Sequence, residues 1–189
     1  MRVLNLAYKL AVAAVFAIYA TSGLAQSNDA QADRLQALLD RLADPETGNW
    51  ELVEQEIVQR WSISGSATAD LLLNRGLAAL DAGDSAAAIS HLTALVDHAP
   101  EFAEGWSLRA TAYFRAGLFG PSIYDIQMVL ALNPQHFGAM IGLGIMLEEM
   151  GEEARALEAF RAARAIHPHR PDVEGAIARL EAALEGQAL

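Results

Sequence analysis

From residue 68 onward the apolar residues recur at i, i+3, i+4 and i+7, the spacing of a helix that buries one face. "TADLLLNRGLAALDA" (68–82) reads as one such helix and "SAAAISHLTALVDH" (85–98) as the next. Gly83 between them suits the left-handed turn that ends the first helix, and Asp84 or Ser85 caps the second. Pro100 closes the second helix, because the residue before a proline is pushed out of α geometry. The same punctuation then returns. Pro100, Pro134 and Pro168 are 34 residues apart. Gly83, Gly117 and Gly151 stand 17 residues before them, and the small residues Gly76, Ala110 and Gly144 stand 24 before. Ala88, Ser122 and Ala156 lie 12 before each proline, Leu92, Ile126 and Phe160 lie 8 before, and Leu72, Trp106 and Met140 lie 28 before.

Six columns that agree in type across three copies predict three helix pairs, at about 67–100, 101–134 and 135–168. The small columns let the two helices of a pair approach closely. The large columns fill the space between neighbouring pairs. The flanks carry the same helical period. "PDVEGAIARLEAALEG" (171–186) sets Ala176, Ile177, Leu180 and Leu184 on an inner face and Glu174, Arg179, Glu181 and Glu185 on an outer one. This is a helix that covers the apolar end of the third pair, with a tail in 169–189. Upstream, "DRLQALLDRLAD", a "PETGN" turn and "WELVEQEIVQRW" predict a helical hairpin over 32–61, with Trp50, Val53 or Glu54, Ile57 and Trp61 at helical spacing. It reads as an amino-terminal cap or degenerate repeat within 26–66, and "SISGS" turns the chain into the first pair.

"WSLRATAYFRAG" followed by "SIYDIQMVLALNP" resembles the tetratricopeptide repeat (TPR), through Trp106, Ala110, Tyr113, Ser122, Ile126 and Pro134. Met140, Leu143, Gly144, Ala156, Phe160, Ala163 and Pro168 carry the next copy. Arg75 and Arg109 stand where the family usually has Leu, and Leu95 and Val129 where it usually has Ala. The resemblance implies an all-α solenoid of antiparallel helix pairs, whose first helices line a concave groove for an extended or helical peptide. Carried onto this chain, the groove positions are Asp70, Leu73, Leu77, Leu80 and Asp81; then Glu104, Ser107, Thr111, Phe114 and Arg115; then Gly138, Ile141, Ile145, Glu148 and Glu149. Family members that clamp a terminal carboxylate use Lys, Arg and Asn there. This groove offers one Arg and several acids, so it suits an apolar or basic segment.

The amino terminus changes the picture of where the protein works. Arg2 and Lys9 precede an apolar run over 10–20, and Gly23 and Ala25 are the small residues of a cut after Ala25. This is the layout of a secretory signal peptide, 1–25, and predicts export, into the periplasm. An uncleaved anchor is the rival, but a span needs ~20 apolar residues and Thr21 and Ser22 interrupt this one. Cleavage leaves 11 Arg, no Lys and 24 Asp plus Glu, a net charge of −13. The whole chain has 189 residues, 53% of them hydrophobic, and a formal net charge of −11. Such a balance argues against nucleic acid or anionic lipid as partner. With no cysteine, disulfides and thiol chemistry are excluded.

Candidate chemistry is sparse. His98, His136, His167 and His169 fall near the turns between repeats and, with His91, read as solvated turn residues, since successive turns are too far apart to share one metal. Glu148, Glu149, Glu152 and Glu153 read as a solvated face with negative charge at a helix start. Trp106, Tyr113, Phe114, Phe119, Tyr124 and Phe160 read as inter-helix packing. No nucleophile elbow, phosphate loop or zinc-protease motif occurs. The expectation is therefore a non-catalytic exported scaffold without cofactor or metal. It holds a protein or peptide on Leu73, Leu77, Leu80, Phe114, Arg115, Ile141, Ile145 and Glu148. The alternative is a self-associating envelope subunit, whose groove is filled by its own hairpin or by a second copy.

Overall fold

The computed structural model describes residues 30–187. The segment read as a signal peptide lies outside the described residues. The chain divides into two units, Met1–Asp40 and Arg41–Leu189. In the first, the described residues are helical and bury Leu38 and Leu39, and Gln36 Nε2 donates to Asp40 Oδ1 at 2.8 Å. That helix, α1, covers residues 30–43 and so runs across the division.

The second unit is a solenoid of antiparallel helix pairs. After α2 (Trp50–Trp61) come α3 (Ala67–Asp81) and α4 (Ser85–His98), α5 (Ala103–Arg115) and α6 (Phe119–Leu132), and α7 (Phe137–Glu149) and α8 (Glu153–Ile166). A last helix, α9 (Pro171–Gln187), closes the end. Each pair packs within itself. α4 packs on α5, α6 on α7 and α8 on α9, while α3, α5 and α7 meet along one face. Among the described residues there is no strand, and no helix is long and apolar enough to cross a membrane.

The sequence columns act as read. Gly83, Gly117 and Gly151 all take φ +74, which a Cβ would strain. The N–H of the following residue (Asp84, Leu118, Glu152) donates to the carbonyl five residues back, at 2.9, 2.9 and 2.8 Å, closing three identical helix ends. Asp84 caps α4 by accepting from the Ala87 N–H at 2.9 Å. Before the three prolines, Ala99, Asn133 and His167 sit at φ −134, −137 and −135, outside helical geometry.

Small residues at the pair crossings are required by space. A Cβ on Gly76 would lie 2.5 Å from Leu92 Cδ2, and one on Gly144 2.8 Å from the Phe160 ring. In the middle pair the crossing is polar instead: buried Ser122 donates to the Ala110 carbonyl at 2.7 Å. The inner face of α9 packs as expected. Val173, Ala176, Ile177 and Leu180 join Leu147, Leu157 and Phe160 in one apolar cluster.

Candidate functional site

The concave face is built from the first helices of the repeats, and it carries a cleft between α5 and α7. Ser107, Thr111 and Phe114 from α5 face Gly138, Gly142 and Ile145 from α7 across a cleft of about 120 Å³. Glycines open it: a Cβ on Gly142 would touch only Ile126, at 3.7 Å. Ile145 at its rim is 40% exposed, and Leu77 on α3 is 37% exposed. An apolar space of this size is close to that of a ~150 Å³ cavity that holds one benzene ring.

The groove residues named from the sequence divide into two groups. Ser107, Thr111, Phe114, Gly138 and Ile145 come together at the cleft, and Leu77 is exposed on the same helical column. Leu73, Leu80 and Ile141 do not offer themselves to a partner, which corrects that part of the expectation. They are 5%, 5% and 9% exposed. Leu73 and Leu80 join Leu92, Leu95 and Ala112 in the core, and Ile141 packs in the cluster with Leu157 and Phe160. The reason is angular: residues i and i+7 keep to one stripe of a helix, and that stripe also carries Gly76, turned toward the second helix of the pair. Gly142 was missed, because a glycine within an apolar helical run signals nothing except a lost side chain.

The cations near the groove are committed. Arg115 donates to the Leu80 carbonyl at 2.7 Å, tying repeat two to repeat one. Arg179 of α9 makes a forked contact with Glu148 at 2.8 to 3.0 Å. Arg109, in a usual Leu position, reaches the buried Asp125 through two bonds of 2.7 and 2.8 Å and lies 4.9 Å from the Trp106 ring centre. The Asp125 carboxylate bonded to it raises the Arg109 pKa further. Asp81 and Glu149, at the far ends of α3 and α7, have no ion-pair partner among the described residues. Elsewhere in the acidic turn, Glu152 pairs with Arg155.

The edge formed by the turns between repeats differs from the sequence expectation. His136 and His167 are 6% and 1% exposed, not solvated. Trp61 of α2 stacks on His136, with ring centres 4.6 Å apart, and Trp50 meets His167 edge-on at 5.4 Å. Burial pushes the His167 imidazole below its ordinary value, with Glu54 acting the other way. Beside it Arg170 bonds Asp172 and holds that carboxyl below the usual aspartate range. His98 stays exposed, 3.4 Å from Ser66 Oγ, and His169 Nε2 donates to the Asp44 carbonyl at 3.0 Å. Trp106 with Tyr124 and Phe114 with Phe119 pack between helices, as their spacing implied. Among the described residues no three His, Asp or Glu side chains come together as metal ligands.

A stack of antiparallel helix pairs with an open groove and structural polar groups defines a helical-repeat protein. Its sequence matches the tetratricopeptide repeat family over residues 73–123 and 125–171, more than half of the chain, and the chain belongs to that family. It is 34% identical over 136 residues to a TPR repeat-containing protein of Rhizobium etli, covering 72% of this chain and 66% of that protein. In structure it is similar to the first TPR of Spaghetti (RPAP3), solved bound to the HSP90 peptide SRMEEVD, with TM-score 0.61 and 22% identity, over 64% of this chain and 95% of that one. The TPR2B domain of yeast Sti1, in complex with pHsp70, superposes with TM-score 0.59 and 23% identity, over 62% and 99% of the two chains.

Proposed function

We propose that the protein is a non-catalytic, exported TPR scaffold that holds an apolar, basic-flanked protein segment on its concave face. The observation that carries this reading is the cleft between α5 and α7, apolar, unfilled among the described residues and lined by exposed Ile145, with exposed Leu77 at the equivalent position of α3. Exposed apolar surface of this kind marks a contact. The charges set the class of partner. Arg109 and Arg179 are paired with Asp125 and Glu148, and Arg115 is tied to the Leu80 carbonyl, so these three guanidiniums are engaged within the protein rather than held out to clamp a terminal carboxylate. Asp81 and Glu149 favour Lys or Arg on the partner. Export is supported by the three-part layout of residues 1–25.

A peptide display selection on the purified protein tests this. Enriched peptides carry an apolar residue with Lys or Arg neighbours, and Ile145→Arg and Leu77→Arg lose that enrichment. Enrichment of acidic-tailed peptides, or equal enrichment by the variants, contradicts the reading. Light scattering on the same protein reports whether a second copy fills the groove instead. Amino-terminal sequencing of the secreted product shows whether the cut falls after Ala25.

A further inference from the structure

α2 crosses two successive repeat junctions with a tryptophan at each end. Trp61 stacks on His136 at 4.6 Å and 18°, and Trp50 meets His167 at 5.4 Å. Phe137 joins the two contacts, 5.2 Å from Trp61 and 5.1 Å from His167. The seam is thus closed by three aromatic side chains and two imidazoles, and both imidazoles are buried.

Geometry fixes the protonation state of the first. His136 Nδ1 accepts the Ala139 N–H at 3.0 Å, capping α7. A nitrogen that accepts carries no proton, so this ring is neutral with its proton on Nε2, 3.4 Å from Glu104 Oε2. Both nitrogens of His167 are buried and lack a hydrogen bond; Glu54 Oε2 stands 3.4 Å from Nε2, a charge contact without hydrogen-bond alignment. Glu54 is also shared, since its other oxygen takes Arg170 at 3.3 Å.

We propose that the α2 seam is a proton-operated latch, docked while His136 and His167 are neutral and released when both take up protons. A proton on His136 Nδ1 removes the acceptor from Ala139 and sets two N–H groups against each other at the positive end of α7. Glu104 on α5 is the carboxylate that opposes this. A proton on His167 buries a cation between Trp50 and Phe137, with Arg170 and His169 beside it and only the shared Glu54 to answer. Release frees both rings to water, where an imidazole takes its proton near pH 6.5. Docking therefore weakens as pH falls below that value, by up to about tenfold per pH unit for each histidine held neutral.

Hydrogen exchange on the full chain, corrected for intrinsic rates, at about pH 7.5 and about pH 5 tests the latch without any peptide ligand. Amides of α2 are expected to lose at least about tenfold in protection at the lower pH, while those of α5 and α7 hold. The double variant His136→Asn/His167→Phe keeps a capping acceptor and an aromatic ring, and its α2 protection is expected to be independent of pH. Unchanged α2 protection in the wild type, or a pH response that survives in the double variant, overturns the proposal. NMR titration of the wild-type imidazoles decides the matter should the double variant fail to dock α2. Titration of His167 below about 6.5 supports the latch, and its titration at or above that value with α2 still protected overturns it.

Discussion

The cleft and the seam occupy neighbouring parts of the same repeats, yet they use side chains in opposite ways. The seam gathers the residues that look chemical, Trp50, Trp61, His136, His167 and Glu54, and closes them into packing. The cleft gathers residues that look bland, Ser107, Thr111, Gly138, Gly142 and Ile145, and leaves them open. In a solenoid the site is defined by missing volume on a face that has no neighbour, so glycine and short side chains say more about binding than imidazoles do. His136 joins the two regions. Its ring lies under Trp61 and also 3.5 Å from where a Gly138 Cβ would stand.

The largest expected effect is on the seam. Trp61→Ala removes a half-buried ring from His136 and Phe137 and is expected to cost about 2–3 kcal/mol, seen as a lower denaturant midpoint. Trp61→Phe separates packing from polarity. It keeps an aromatic face and deletes an indole N–H that is buried without a partner among the described residues, so its cost is expected to stay below about 1 kcal/mol. Destabilisation by Trp61→Phe as large as by Trp61→Ala would show that the indole itself, and not the aromatic contact, holds the seam.

The pH response of stability is next in size. The folded imidazole of His167 lies below its ordinary 6.5, so the folded state binds fewer protons than the unfolded one. Its contribution is present above pH 6.5 and is lost as pH falls from there toward the folded value, with a slope of at most about 1.4 kcal/mol per pH unit. Urea melts of the wild type and His167→Phe across that window check this, and the variant is expected to show the smaller slope.

The smallest effect on stability comes from the cleft. Gly142→Ala adds a helix-forming residue with its Cβ 3.7 Å from Ile126, and is expected to raise stability by about 0.5–1 kcal/mol. Gly142→Leu fills the space and is expected to weaken peptide binding at least about tenfold, with a stability change within about 1 kcal/mol. A cleft variant that lost several kcal/mol would mean the space is packing rather than site.

The solenoid was legible in the sequence because its constraints are local. Gly83, Gly117 and Gly151 need one backbone conformation, Gly76 and Gly144 leave no room for a Cβ, and the prolines repeat the stop. Each is visible in one residue. The groove was legible only in part. A helical wheel places Leu73 and Leu77 only about 40° apart, and only the packed neighbours decide that Leu77 is open and Leu73 closed. The seam was hidden because Trp61 and His136 are distant in the chain and no spacing rule links them. The Arg109–Asp125 pair leaves a trace in the sequence, an arginine at an apolar column with an acid 16 residues on in the facing helix.

The central claim is that the open cleft, and not a cationic clamp, selects the partner. Equilibrium binding of two labelled peptides measures it most directly. One carries a single Leu flanked by Lys, and the other ends in Glu-Glu-Val-Asp. The first is expected to bind wild type at least about tenfold more tightly than it binds Ile145→Arg, and more tightly than wild type binds the second. Tighter binding of the acidic-tailed peptide, or an affinity for the Leu peptide that Ile145→Arg leaves unchanged, would contradict the account.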